Sequence, residues 1–175
     1  MEPHSPSNTR GKILSHIQAH PGVHFNELTR NLDMATGQVQ YHIHRLLRQD
    51  RIIANALYGR THYYPPEYSE WEQGVLALAR RETSREIVFY LLDAGKSTPS
   101  SVSSELSIAR STLEWHLTRL IEQDVVVKHR NEDGTVRIAL SDPNQLITLL
   151  SAVTPRVHDQ LTDRFMRFVD SLFEP

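Results

Sequence analysis

Apolar residues recur at helical spacing in the window 36–53, Thr-Gly-Gln-Val-Gln-Tyr-His-Ile-His-Arg-Leu-Leu-Arg-Gln-Asp-Arg-Ile-Ile. Val39, Ile43, Leu46 and Leu47 fall on one side of a helix, and Gly37, Tyr41, His44, Arg45 and Arg48 on the other. Asp50 ends the helix, and Ile52-Ile53 opens a short β-branched run. A single such window also describes an ordinary amphipathic surface helix. The chain, however, repeats it 74 positions later, over 110–127. Tyr41-His42-Ile43 returns as Trp115-His116-Leu117, Arg45-Leu46-Leu47 as Arg119-Leu120-Ile121, and Gln49-Asp50 as Gln123-Asp124. Upstream the same register pairs Ile13 with Ile87, Ile17 with Leu91, Leu28 with Val102 and Leu32 with Leu106. Matches concentrated at apolar positions mean two copies of one packed unit.

Each copy reads as three helices followed by a hairpin. The first has helices over 12–19, 25–32 and 36–49, with Asn8 or Thr9 capping the first and His20-Pro21-Gly22 ending it. Strands over 51–57 and 61–64 flank Tyr58-Gly59-Arg60, and Pro65-Pro66 closes the unit. The second has helices near 84–92, 99–106 and 110–123, then strands over 125–129 and 135–140 around Asp133-Gly134. The division is a flexible N-terminus over 1–9, domains over 10–66 and 82–140, and a connector helix over 67–81. C-terminal helices fill 141–175. There Val157, Leu161, Phe165, Phe168, Leu172 and Phe173 form an apolar stripe that needs a partner, and the expected one is the same helix of a second chain. Units of roughly 60 residues sit near the lower limit for a self-sufficient core, which favours such pairing.

Composition narrows the function classes. The 175 residues include no cysteine, so disulfides and thiolate metal sites are excluded. No run is apolar enough to span a membrane, and Met1–Asn8 lacks the charged start and apolar core of a signal peptide. An intracellular soluble protein is the expectation. Net charge is −2, but it is segregated: residues 1–66 carry seven Lys/Arg against four Asp/Glu and seven of the ten histidines. The basic share therefore lies with the first copy, where it would serve a nucleic acid. Arginine supplies 16 of the 19 basic residues, and its planar fork suits two-pronged contacts.

Helix, helix–turn–helix and two-stranded wing, in that order, is the winged helix–turn–helix plan. The residues carrying it are Pro21-Gly22, Glu27-Leu28 and Leu32; then Gly37-Gln38-Val39-Gln40-Tyr41-His42-Ile43 with Leu46; then Gly59-Arg60-Thr61-His62-Tyr63-Tyr64-Pro65. In the second copy they are 106–117 with Leu120. The chain resembles regulators of the arsenic-repressor and multiple-antibiotic-resistance types, and more closely archaeal predicted regulators with two such domains. The fold expected is mainly α with small β-wings (α+β). The resemblance implies a cytoplasmic, homodimeric, sequence-specific regulator of transcription that binds double-stranded DNA. The alternative is a winged-helix module that docks on transcription, replication or chromosome machinery without reading DNA.

The candidate DNA-binding residues are Gly37, Gln38, Tyr41, His44, Arg45, Arg48, Arg60 and His62 in the first copy. Ser111, Thr112, Trp115 and Arg119 are their counterparts in the second. Gln38 and Arg45 suit bidentate contacts to adenine and guanine, whereas Arg48, Arg60 and His62 suit phosphates. The second helix is the poorer reader, since Glu122 replaces Arg48. The dimerisation residues are Leu161, Phe165, Phe168 and Leu172. His16, His20 and His24 include an i, i+4 pair, but with no third ligand fixed by the pattern no metal and no cofactor is expected. No phosphate-cradling loop, nucleophile elbow or fixed carboxylate pair is present, so the chain is not expected to be an enzyme.

Overall fold

The computed structural model describes residues 6–153. The expected dimerisation stripe, Leu161, Phe165, Phe168 and Leu172, lies outside the described residues. Two compact units divide between Ala77 and Leu78.

In the first unit, α1 (Pro6–Ala19), α2 (Phe25–Leu32) and α3 (Thr36–Arg48) precede the wing strands β2 (Ile53–Leu57) and β3 (Arg60–Tyr64). Helix α1 begins inside the stretch expected to be a lead-in, and Thr9, expected as a cap, is buried within the helix. Ile13, Ile17, Val23, Leu28, Val39, Ile43, Leu46, Ile52 and Tyr63 form the core, so each helix sends its apolar stripe to one place. The wing turns through Tyr58 (φ 53°) and Gly59 (φ 83°), two positive-φ residues in the tight connection that matches strand twist.

One element is absent from the sequence reading. Val23 and His24 form a short strand, β1, which pairs antiparallel with β3 in the register Val23↔Tyr63 and His24↔His62. The sheet order is β1-β3-β2, which makes β3 a central strand rather than half of a free hairpin. Helix α4 (Glu70–Ala79) follows, and its Gln73 is held on both sides. The buried Tyr64 hydroxyl donates to the Gln73 carbonyl at 2.8 Å, and Asn55 Nδ2 donates to Gln73 Oε1 at 3.0 Å.

The second unit repeats the order with α5 (Glu82–Ala94), α6 (Pro99–Glu105), α7 (Arg110–Glu122), β4 (Val126–Arg130) and β5 (Val136–Leu140), then adds α8 (Pro143–Val153). Its buried residues fall at repeat-equivalent places: Ile87, Leu91, Val102, Leu113, Leu117, Leu120 and Val126. The counterpart of β1 shrinks to a single bridge, Ser97↔Ile138. Helix α8 buries Leu146, Leu149 and Leu150. The architecture is α+β, mostly helical with antiparallel β-hairpin wings.

Candidate nucleic-acid interface

Helix α3 owes its position to its buried side. Val39, His42, Ile43 and Leu46 are buried, and the turn before them is set by Asp33 in the left-handed conformation (φ 49°). At the other end Asp50 is also left-handed (φ 51°), and the Arg51 N–H donates to the Leu46 carbonyl at 3.0 Å. This closes the helix by a six-to-one backbone bond and aims the chain into the wing. The second unit copies the corner, with Asp124 at φ 55° and Val125 N donating to the Leu120 carbonyl at 2.8 Å.

The opposite side of α3 faces solvent. Gly37, Gln38, Tyr41, His44, Arg45 and Arg48 are all exposed, as the periodicity predicts. Tyr41 is 54% exposed, a large aromatic surface beside Arg45. Arg45 Nη1 donates to the Tyr41 hydroxyl oxygen at 2.9 Å. A β-carbon on Gly37 would meet nothing within 4 Å, so no neighbour in its own unit requires a glycine there.

On the wing the two expected phosphate residues part company. Arg60 is exposed at the start of β3, and its Nη1 lies 3.1 Å from His24 Nε2. His24 caps α2 through Nδ1, which accepts from the Glu27 N–H at 3.3 Å. The expectation that His62 also faces outward is corrected. It is 3% exposed, with Nδ1 2.7 Å from the Gly22 carbonyl oxygen, because β1 covers the edge of β3 that a simple hairpin would leave open. His62 ties β3 to the α1–β1 turn and, unlike Arg60, is buried. The sequence did not reveal His24 as the residue beside Arg60, since a two-residue strand leaves no period to detect.

The corresponding face of α7 is different. Ser111, Thr112 and Trp115 are exposed, but Arg119 is partly buried. Its guanidinium carbon stands 3.4 Å from the centroid of the Trp115 ring, and Nη1 donates to the Trp115 carbonyl at 2.8 Å. Lys128 on the wing is paired with Glu114 at 3.6 Å, and Glu122 is exposed at the end of the helix. The second face is therefore less available to an anionic partner than the first.

His42 and His116 occupy the same repeat position and are both buried. His116 Nδ1 lies 2.7 Å from the buried Ser84 Oγ, whereas His42 Nδ1 has no hydrogen-bond partner among the described residues. Burial lowers the pKa of each below the ordinary histidine value, assisted by Arg10 and Arg45 around His42 and by Arg81 and Arg119 around His116. The His16 and His20 rings are 4.6 Å apart, yet among the described residues no group of three or more His, Cys, Asp or Glu side chains is arranged to hold a metal ion. Among the same residues no helix is long and apolar enough to cross a membrane.

Comparison with known proteins agrees with this geometry. Residues 7–76 match a family model described as an N-terminal HTH domain, and residues 80–127 match one described as winged helix-turn-helix DNA-binding. The chain thus carries two helix–turn–helix domains in tandem, the second matched to a model described as DNA-binding. It is homologous to an HTH-type transcriptional regulator, itself uncharacterized, of Methanocaldococcus jannaschii, with 28% identity over 131 residues. The match covers 74% of this chain and 32% of the relative, so the chain spans about a third of that protein's length. Among solved structures, the endosomal complex ESCRT-II (VPS22/VPS25/VPS36) is matched over 81% of this chain and 65% of that chain. The identity is 13% and the TM-score 0.34, a likeness too slight to carry an argument.

Proposed function

We propose that the chain is a cytoplasmic, sequence-specific regulator of transcription that reads the major groove of double-stranded DNA with α3, as a homodimer. The observation that carries this reading is the division of α3. Four side chains anchor it in the core, while Gln38, Tyr41, His44, Arg45 and Arg48 stand together in solvent with Arg60 on the adjacent wing. Gln38 and Arg45 have the donor and acceptor pattern for base edges, and Arg48 and Arg60 the charge for phosphates. The DNA-binding description of the model matched by residues 80–127 and the name of the archaeal relative support a DNA-binding regulator in general, while the choice of α3 as the reading helix rests on its exposed row alone. In the dimer, Leu161, Phe165, Phe168 and Leu172 pair the two chains, so that two copies of α3 meet successive groove faces about 34–36 Å apart. The operator is then an inverted repeat.

The test is selection of bound duplexes from a random pool at near-physiological salt, followed by sequencing. An enriched inverted repeat is the expected result. An unenriched pool together with a flat salt dependence would overturn the reading, because phosphate contacts release counterions. The second reading is a winged-helix module that docks on transcription, replication or chromosome machinery without sequence-specific DNA readout. It is favoured by one observation: Arg119 is folded onto Trp115, and Glu122 stands exposed on the same helix.

A further inference from the structure

Positions 41 and 115 are the same place in the repeat, as are 45 and 119. Helices α3 and α7 therefore each carry an aromatic residue followed one turn later by an arginine, and such i, i+4 side chains touch. The two pairs do not arrange themselves alike. In α3 the guanidinium carbon of Arg45 is 5.8 Å from the Tyr41 ring centroid, and Nη1 is tethered to the phenol oxygen. In α7 the guanidinium carbon of Arg119 stands over the indole, 3.4 Å from its centroid, with Nη1 turned back to a carbonyl of its own helix. Arg119 Nε is sealed from solvent without a hydrogen-bond partner, and Arg81 stands 5.3 Å from the same ring.

The difference follows from the chemistry of the two rings. Tyrosine carries an acceptor oxygen at the tip of the ring, so it can hold a guanidinium at its outer end. Tryptophan has no acceptor and offers the strongest cation–π face, so it draws the guanidinium down onto the helix. A guanidinium has five N–H donors in a fork, and reading guanine takes two. One donor of Arg45 is spent on Tyr41 while the side chain stays exposed. In Arg119 the fork is turned inward.

We infer that Tyr41 is a positioning residue that orders Arg45 for base reading, and that Trp115 disarms the equivalent Arg119. The identity of the aromatic residue then decides which copy reads sequence. This rests on α3 being the DNA-reading helix. Ordering one long side chain in advance saves an entropic cost otherwise due on binding, equivalent to a factor of about three to ten in affinity.

The experiment uses the full chain and the duplex selected by the parent, together with duplexes altered at each base pair. Tyr41→Phe is expected to lower discrimination about threefold to tenfold at one base pair only, with the salt slope and thermal midpoint unchanged. In an Arg45→Ala background the same change should have no further effect. Tyr41→Trp should discriminate as poorly as Arg45→Ala, and Arg119→Ala as well as the parent. The inference is overturned if Tyr41→Phe discriminates like the parent, if its effect persists without Arg45, or if Arg119→Ala loses discrimination. A parent that selects no sequence would remove the premise itself, an outcome distinct from the other three.

Discussion

His116 Nδ1 and Ser84 Oγ are 2.7 Å apart in the interior of the second unit, joining α7 to α5 by a bond between two buried side chains. Ser84→Ala leaves the imidazole nitrogen buried and unpaired, and the loss of such a partner costs about 1–3 kcal/mol. Denaturant unfolding should show that loss in the second unit. A variant as stable as the parent would mean that the bond contributes nothing.

Both buried histidines make stability depend on pH. Their folded pKa values lie below the ordinary value of 6.5, chiefly through burial and further through neighbouring arginines. Between the two values the unfolded chain binds more protons than the folded one. The stabilisation is therefore complete above about pH 6.5 and is lost as pH falls through the lower folded values. Thermal midpoints measured from pH 8 to pH 5 should fall, and His116→Gln should flatten that fall.

Gly37 is exposed at the start of α3, and a methyl group there would meet nothing within 4 Å among the described residues beyond its chain neighbours and its own helix backbone. Gly37→Ala should stabilise the free protein by about 0.5–1 kcal/mol, since alanine is the better helix former. If DNA approaches the start of α3 closely, the same substitution should weaken binding. Stabilisation with unchanged DNA affinity would show that the groove does not meet the helix there.

On the proposed reading Arg60 meets phosphate, whereas His62 serves the sheet. Arg60→Ala should weaken binding to all duplexes alike and reduce the salt slope by about one. His62→Ala breaks the buried contact to Gly22 and should lower the unfolding midpoint while leaving the salt slope alone. A reduced slope in the His62 variant would put its imidazole back at the interface.

Deletion of residues 155–175 removes Leu161, Phe165, Phe168 and Leu172. Sedimentation should show the shortened chain as a monomer, with weaker binding to an inverted repeat than the parent. A shortened chain that still sediments as a dimer would locate the interface elsewhere.

The duplication was legible because burial imposes it. Val39 and Leu113, Ile43 and Leu117, and Leu46 and Leu120 are all core positions, and close packing favours apolar side chains of similar size there. The exposed row of α3 followed from the same period. What the pattern could not carry was pairing at a distance. Val23 and His24 are too few to show alternation, so β1 passed unseen, and with it the burial of His62. Nor does helical spacing tell a guanidinium held at the rim of a phenol from one lying on an indole. That choice rests on a single oxygen atom.

The left-handed corners at Asp50 and Asp124 bear on how the two copies could diverge after duplication. Each fixes the exit from its helix by backbone torsion and a backbone hydrogen bond, with no partner required from the solvent-facing side chains. The facing residues were thus free to change independently of the corner. Arg48 and Glu122, of opposite sign, precede the same turn. The corner and the solvent-facing row are therefore separable, so the surface of one copy can differ from the other while the framework is the same.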